Sequence, residues 1–252
     1  MSAAVSLAIQ PVVISLARTP ERLDRFLTAN RATGWDFEVF PGVDGSAIPV
    51  ADVVAQGALV NGARGYTPGA IGNALSHRAL WRRSIESGSV LAVFEDDVVL
   101  RRDAKERLAE IVAALPEGWE IVMLGYNTDT VLDIRMSQSC DLRGTFSVHN
   151  PNAEQLAEFS LATDPVGRFP LNHAFGVGAY LISPAGARAF AETCFPMNDR
   201  LFFIAALESW FQPFGIDGMM NAVFRTRRAF ACFPPLAWSS NDIQSSTVQP
   251  RS

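Results

Sequence analysis

The sequence predicts an α/β protein: a mostly parallel central sheet flanked by helices, in a single domain. Three observations predict the α/β class. Short apolar, β-branched runs recur through the first half, at 11–17 "PVVISLA", 90–94 "VLAVF" and 119–126 "WEIVMLGY". Amphipathic segments with helix start and stop signals separate them, an alternation that favours parallel strands covered by helices. No stretch rich in Pro, Gly or Ser marks a domain boundary.

In chain order, "PVVISLA" is read as a buried strand ended by the turn-prone "RTP". Thr19 before Pro20 predicts an N-cap with proline in the first turn, and the helix carries Leu23, Phe26 and Leu27 on one face to a stop at Gly34. "DFEVFPGVDG" (36–45) predicts a second strand closing on an Asp-Gly turn. Residues 67–88 form a helix from Thr67-Pro68 to Gly88, followed by the strand "VLAVFEDDVVL" (90–100). An amphipathic helix over 101–118 and the strand at 119–126 complete the alternating half.

From 127 to 172 the pattern gives way to polar, turn-rich sequence with one short helix at "NAEQLAEFSLA". This stretch reads as a variable insertion. A glycine-interrupted strand and a helix from Ser183-Pro184 follow in "HAFGVGAYLISPAGARAFAETC". An apolar helical stretch is expected at 201–211, then "GIDGMMNAVF", a strand-like "RAFACFPPLAW" and a polar tail.

The 252 residues are 48% hydrophobic and 19% charged, which suits a soluble protein with a sizeable core. A net charge of −5 argues against non-specific nucleic-acid binding, which needs a basic face. The apolar N-terminus lacks a basic leader region and contains Pro11, so it reads as a first strand rather than a signal peptide. Cys140, Cys194 and Cys232 have no zinc-ligand spacing and read as reduced thiols. A cytoplasmic location is expected, with peripheral contact at the inner membrane.

The stretch "VLAVFEDDVVL" sets three consecutive acids after five apolar residues. Strand alternation places Glu95 and Asp97 on one side and Asp96 on the other. Burying three uncompensated carboxylates is prohibitive, so the cluster sits at a strand's carboxyl end over a crevice, or holds a cation. An all-oxygen set suits Mg²⁺ or Mn²⁺. Helix capping, or pairing with Arg101 and Arg102, is the alternative.

Those acids and their neighbours resemble glycosyltransferase family 25, which includes lipopolysaccharide and lipooligosaccharide galactosyltransferases and collagen galactosyltransferases. The resemblance rests on "VVISLARTPERLDRF", "FPGVDG", "TPGAIGNALSHRALW", "FEDDVVL", "GVGAYLISPAGARAF", "GIDGMMNAVF" and "AFACFPPLAWSSNDIQSS", in that order. Asn73 stands where a cysteine is common, and Asn241 replaces a serine in the closing segment. The resemblance implies a GT-A type fold, a UDP-sugar donor, usually UDP-galactose, and inversion with Mn²⁺ or Mg²⁺. It also implies that Glu95-Asp96-Asp97 takes the place of the DxD motif. A surface glycan or lipid-linked oligosaccharide is the implied acceptor.

Glycosyl transfer from a UDP-sugar needs a cation to neutralise the leaving diphosphate and a base for the acceptor hydroxyl. Asp97 is the first candidate for the metal, with Glu95 as a second ligand or a partner of the ribose, and Asp96 able to do either. Asp217 is the candidate base, in an order that resembles its placement in inverting GT-A enzymes; a helix cap is its alternative. Glu208 and Asp199 compete with it. Ser15, Leu16, Arg18, Arg22, Asp44 and Gly45 are expected around the nucleotide, Gly72 and His77 on the third helix, and Gly178 beside the sugar. His173 is a possible addition to the metal shell, and Asp242 to the closing segment.

Two other functions remain open at this point. A metal-dependent phosphohydrolase would use the acid cluster, although the first strand ends in "ISLART" with no nucleophilic acid. A non-catalytic nucleotide-sugar-binding protein would keep the fold without turnover.

Overall fold

The structure, a computed structural model, describes residues 9–240. It begins with β1 (Ile9–Ser15), α1 (Pro20–Asn30), β2 (Glu38–Pro41), α2 (Val50–Ala55), α3 (Pro68–Ser87), β3 (Val90–Glu95) and β4 (Val98–Leu100). Next come α4 (Ala104–Ala113), β5 (Ile121–Gly125), the hairpin β6 (Val131–Ser137) and β7 (Cys140–Thr145), α5 (Ala153–Ser160) and β8 (Gly167–His173). The remaining elements are β9 (Ala179–Ile182), α6 (Pro184–Cys194), β10 (Phe202–Ile204), β11 (Ser209–Phe211), α7 (Ile216–Asn221), β12 (Ala229–Phe233) and β13 (Ala237–Ser239). Asn241 and Asp242 lie outside the described residues.

One sheet runs in the order β2-β1-β3-β9-β5-β12-β8-β6-β7. It is mixed rather than mostly parallel in its pairings. β1 is parallel to β2 and β3, and β5 to β12, but β9 enters antiparallel between β3 and β5, and β8, β6 and β7 extend the far side antiparallel. Parallel neighbours need a crossover between them, as α1 supplies between β1 and β2, whereas β6 and β7 join by a tight return and pair antiparallel.

Both faces of the central strands are covered, which explains why β3 is apolar rather than alternating. On one face Val12, Leu91, Val93, Ile121 and Tyr180 pack with Leu80 and Trp81 of α3 and Phe190 of α6. On the other, Val13, Ala92, Phe94 and Val122 pack with Phe26 of α1 and Leu108 of α4. Phe94 is wholly buried, and truncating it to alanine is expected to cost about 3–5 kcal/mol.

Two expected helix caps form. The hydroxyls of Thr67 and Ser183 accept from the amides of Ala70 and Gly186. Thr19 makes no such cap; its hydroxyl donates back to the Leu16 carbonyl, so Pro20 alone sets the start of α1.

Two segments depart from expectation. Residues 201–211 are not helical but a β-hairpin: Ile204 is buried while Phe203 and Trp210 face solvent as an edge-to-face cross-strand pair. Apolarity alone did not reveal the period of two, and aromatic residues favour strands. The 127–172 segment holds three strands besides the expected helix at Ala153–Ser160. Polar residues of β6 and β8 meet inside, where buried Asp133 accepts from buried Asn172 and from the outward-lying Arg143, while β7 is largely exposed. No helix among the described residues is long and apolar enough to cross a membrane.

Candidate functional site

Parallel pairing brings the carboxyl ends of β1, β2 and β3 to one sheet edge, where Ile14 stands beside Glu95 and Ser15 beside Pro41. A pocket opens there, lined by Leu16, Arg18, Thr19 and Arg22 after β1, by Val43 to Gly45 after β2, and by Asn73 and Ser76 of α3. Glu95, Asp96 and Asp97 form its floor. This is the strand-end crevice in which ligands of α/β proteins commonly bind.

The acids do not continue the strand. β3 ends at Glu95, and Asp96-Asp97 form a turn before β4 leaves to pair with β13. Alternation therefore stops, and all three carboxylates reach the same pocket. Asp96 accepts from Ser15 Oγ at 2.7 Å and from Arg22 Nε at 2.7 Å, and is buried. Arg22 Nη2 lies 2.6 Å from Asp96 Oδ1 and 3.2 Å from Asp97 Oδ2. Arg22 is thus committed to the carboxylates, and Ser15 stands behind Asp96 as its support.

Asp97 is the least compensated of the three. Its Oδ1 is buried without a hydrogen-bond partner among the described residues. Burial pushes its carboxyl up to about 7, the charge of Glu95 adds to the rise, and Arg22 opposes it. A partnerless buried oxygen at an all-oxygen site fits a hard divalent cation that takes its other ligands from water and substrate phosphates. Among the described residues no three His, Cys, Asp or Glu side chains converge as a preformed metal cage. Asp97 alone offers an uncommitted buried oxygen there.

Glu95 is held differently. Its Oε1 accepts from Asn73 Nδ2 and lies 3.3 Å from His77 Nε2. Burial raises its carboxyl, but the hydrogen bonds of His77 and Asn73 and the charge of Arg22 outweigh it, so the net shift is downward. Asn73, the departure from the usual cysteine, is therefore a working contact that sequence reasoning left unassigned. Ser76 was missed as well: it accepts from Val43 N and donates to Gly72 O, both at 2.8 Å, fixing the β2 turn onto α3.

Asp44 caps its own turn by accepting from the amide and hydroxyl of Ser46, and those bonds hold its carboxyl below the usual range. It also pairs with Arg18 at 2.8 Å across the pocket mouth. Gly45 and Gly72 pack backbone to backbone: a Cβ on Gly45 would collide with the Pro68 carbonyl oxygen, and one on Gly72 with that of Val43. The space at Gly72 is taken by the β2 turn rather than left for a ligand.

Asp217 lies in the first turn of α7, away from the pocket's lining, half-buried beside the glycine-rich segment. Its Oδ2 accepts from Gly176 N at 3.2 Å and its Oδ1 from Gly218 N at 2.8 Å. Burial raises its carboxyl, the two backbone amides oppose that, and Glu95 adds to it. Asn221 secures the same docking by donating to the Ala174 carbonyl and accepting from the Ala174 amide. The Gly178 carbonyl accepts from Glu95 N at 2.8 Å, and a Cβ there would stand 2.9 Å from Val98 Cγ1.

His173 lies in β8 among Asp133, Asn221 and Arg143, and no contact among the described residues ties it to Asp97. Asp199 accepts from the Arg64 amide, and Glu208 occupies the exposed hairpin turn with φ 49°.

Comparison with known proteins gives a consistent picture. The profile described as "Glycosyltransferase family 25 (LPS biosynthesis protein)" matches residues 8–201. "Inactive glycosyltransferase 25 family member 3" of Homo sapiens is 35% identical over 128 residues, covering 45% of this chain and 21% of that protein. "Glycosyltransferase 25 family member" of Aedes aegypti is 30% identical over 125 residues, covering 45% of this chain and 20% of its own length. The match thus spans about a fifth of these relatives. A solved structure, "Crystal Structure of A197 from STIV", aligns over 88% of this chain and 80% of its own at 15% identity and a TM-score of 0.37, too loose a likeness to argue from.

Proposed function

The chain belongs to glycosyltransferase family 25, and from that premise we propose that it transfers a sugar, galactose first among candidates, from a UDP-sugar to a hydroxyl of a surface glycan such as lipopolysaccharide, with inversion and in GT-A fashion. The observation that carries the reading is the partnerless, buried Oδ1 of Asp97 on the floor of the strand-end pocket.

Asp97 would hold Mn²⁺ or Mg²⁺, with Glu95 the second candidate, and such an ion supplies charge neutralisation for a departing diphosphate. The chain's own residues do the rest. Arg22 and Ser15 keep Asp96 fixed, so that the neighbouring Asp97 is presented at one position. The 42–45 turn and the segment after β1 wall the nucleotide side, with the Arg18–Asp44 pair at the mouth. Asp217 accepts the proton of the acceptor hydroxyl; its raised carboxyl makes it a better base than an exposed aspartate, and the two backbone amides aim it. The 127–172 region, beyond β5, is the proposed acceptor side.

The names of the relatives favour a second reading, a donor-binding protein without turnover. UDP release from UDP-galactose separates the two. Manganese-dependent release that stops in Asp217→Ala supports transfer, whereas donor binding with no release in the presence of a glycan acceptor supports the second reading.

A further inference from the structure

Behind the acid cluster lies a chain of buried polar groups that the proposed chemistry does not use. Trp81, Tyr180 and His77 are each wholly buried. Trp81 Nε1 donates to Tyr180 Oη at 2.9 Å, Tyr180 Oη lies 2.8 Å from His77 Nδ1, and His77 Nε2 lies 3.3 Å from Glu95 Oε1.

The direction of every bond follows from the indole, which can only donate. Tyr180 Oη accepts that bond, so its own proton needs an acceptor, and His77 Nδ1 is the one within reach. A buried hydroxyl proton left unmatched would cost roughly 1–3 kcal/mol. Nδ1 therefore accepts, and the ring proton sits on Nε2, where it donates to Glu95. The histidine tautomer is set two hydrogen bonds away, by a tryptophan.

With Asn73 as second donor, Oε1 of Glu95 is fully engaged. Oε2 has no hydrogen-bond partner among the described residues, and Val98 Cγ1, 2.9 Å from where a Cβ on Gly178 would stand, closes the side toward that glycine. Glu95 lines the pocket, and Gly176, two residues from Gly178, holds Asp217.

We infer that Trp81, Tyr180 and His77 are positioning residues that lock Oε1 of Glu95 and so present Oε2 to the strand-end pocket as the acceptor for a hydroxyl of the donor's hexose. This rests on the UDP-sugar reading and adds a specificity element to it: Glu95 reads the sugar, and Asp97 serves the diphosphate.

The test uses the full chain with Mn²⁺ and three probes, UDP, UDP-galactose and UDP-glucose, titrated into wild type and Tyr180→Phe. The wild type is expected to bind one UDP-hexose more tightly than UDP. In Tyr180→Phe that preference falls about tenfold, the weight of one hydrogen bond to a charged group, while UDP affinity stays within about twofold. Equal losses for all three probes would make the chain merely structural, and an unchanged preference would overturn the inference. His77→Gln, whose amide can replace the Nε2 donor, is expected to keep the preference that His77→Ala loses. Nitrogen NMR of the folded wild type should show the His77 proton on Nε2; a proton on Nδ1 overturns the inference whatever the titrations give. If wild type binds none of the probes, the donor reading falls, and the ring-nitrogen result still decides the direction of the chain.

Discussion

At the end of β3 three acids are held by side chains that reach in from β1, α1 and α3, whereas at the start of α7 a single acid is held by backbone amides. The two arrangements suit different tasks. Side-chain partners can be removed one at a time: Asn73 and His77 act on Glu95, Ser15 on Asp96, and Arg22 on both Asp96 and Asp97. Backbone amides cannot be removed by substitution, so Asp217 keeps its place as long as the 174–178 segment and α7 stay docked. The cluster is an adjustable site built on a rigid sheet edge, and Asp217 is a fixed point beside it.

The largest test of that contrast is Asp217→Ala. Loss of a general base is expected to lower kcat by about 10²–10⁴, with UDP affinity retained, as steady-state rates and calorimetry would show. Its pH dependence follows from the sign of the shift. Burial raises the carboxyl of Asp217 above its ordinary 3.8, so the ionised form is disfavoured in the fold. Ionisation then costs stability as pH rises through the folded value, and that cost is absent below the unfolded one. A base must be ionised, so the acid limb of the rate profile should fall above pH 3.8. A limb at or below that value contradicts the assignment.

Asp97→Ala comes next. Metal-dependent UDP affinity should fall at least about 100-fold, the upper end of what a metal site loses with an outer partner, and the fold should survive because Oδ1 has no partner to abandon. Ser15→Ala removes one support of Asp96, and about 1 kcal/mol of stability is expected to go with it in urea titration. The smallest effect belongs to Arg18→Ala. Its pair with Asp44 is 47% and 32% exposed, so less than about 1 kcal/mol is at stake, and UDP affinity should shift only a few-fold.

Much of the sheet edge was legible because local signals agreed. The five apolar residues of β3, the capped start of α3 and the turn at Asp44 all lie where pattern and turn chemistry place them. The acid triplet signalled a site since nothing else justifies three carboxylates after a buried strand. What could not be read was the geometry past Glu95. Alternation assigned Asp96 to the opposite face, but the turn at 96–97 brings it back to Ser15 and Arg22. Asn73 and Tyr180 were equally silent, since neither residue type signals a role before its partner's place is known. The hairpin at 201–211 was misjudged because a short apolar run fits either period, and the strands of 127–172 were hidden by polar residues that pair with one another inside.

The most direct test is calorimetric titration of UDP into the full chain, with Mn²⁺ and then with excess chelator, in wild type and Asp97→Ala. The geometry predicts binding by wild type with the metal, at least about 100-fold weaker binding with chelator, and no metal dependence in Asp97→Ala. Equal UDP affinity with and without chelator, or a metal response unchanged in Asp97→Ala, would contradict the claim that this oxygen seats the cation.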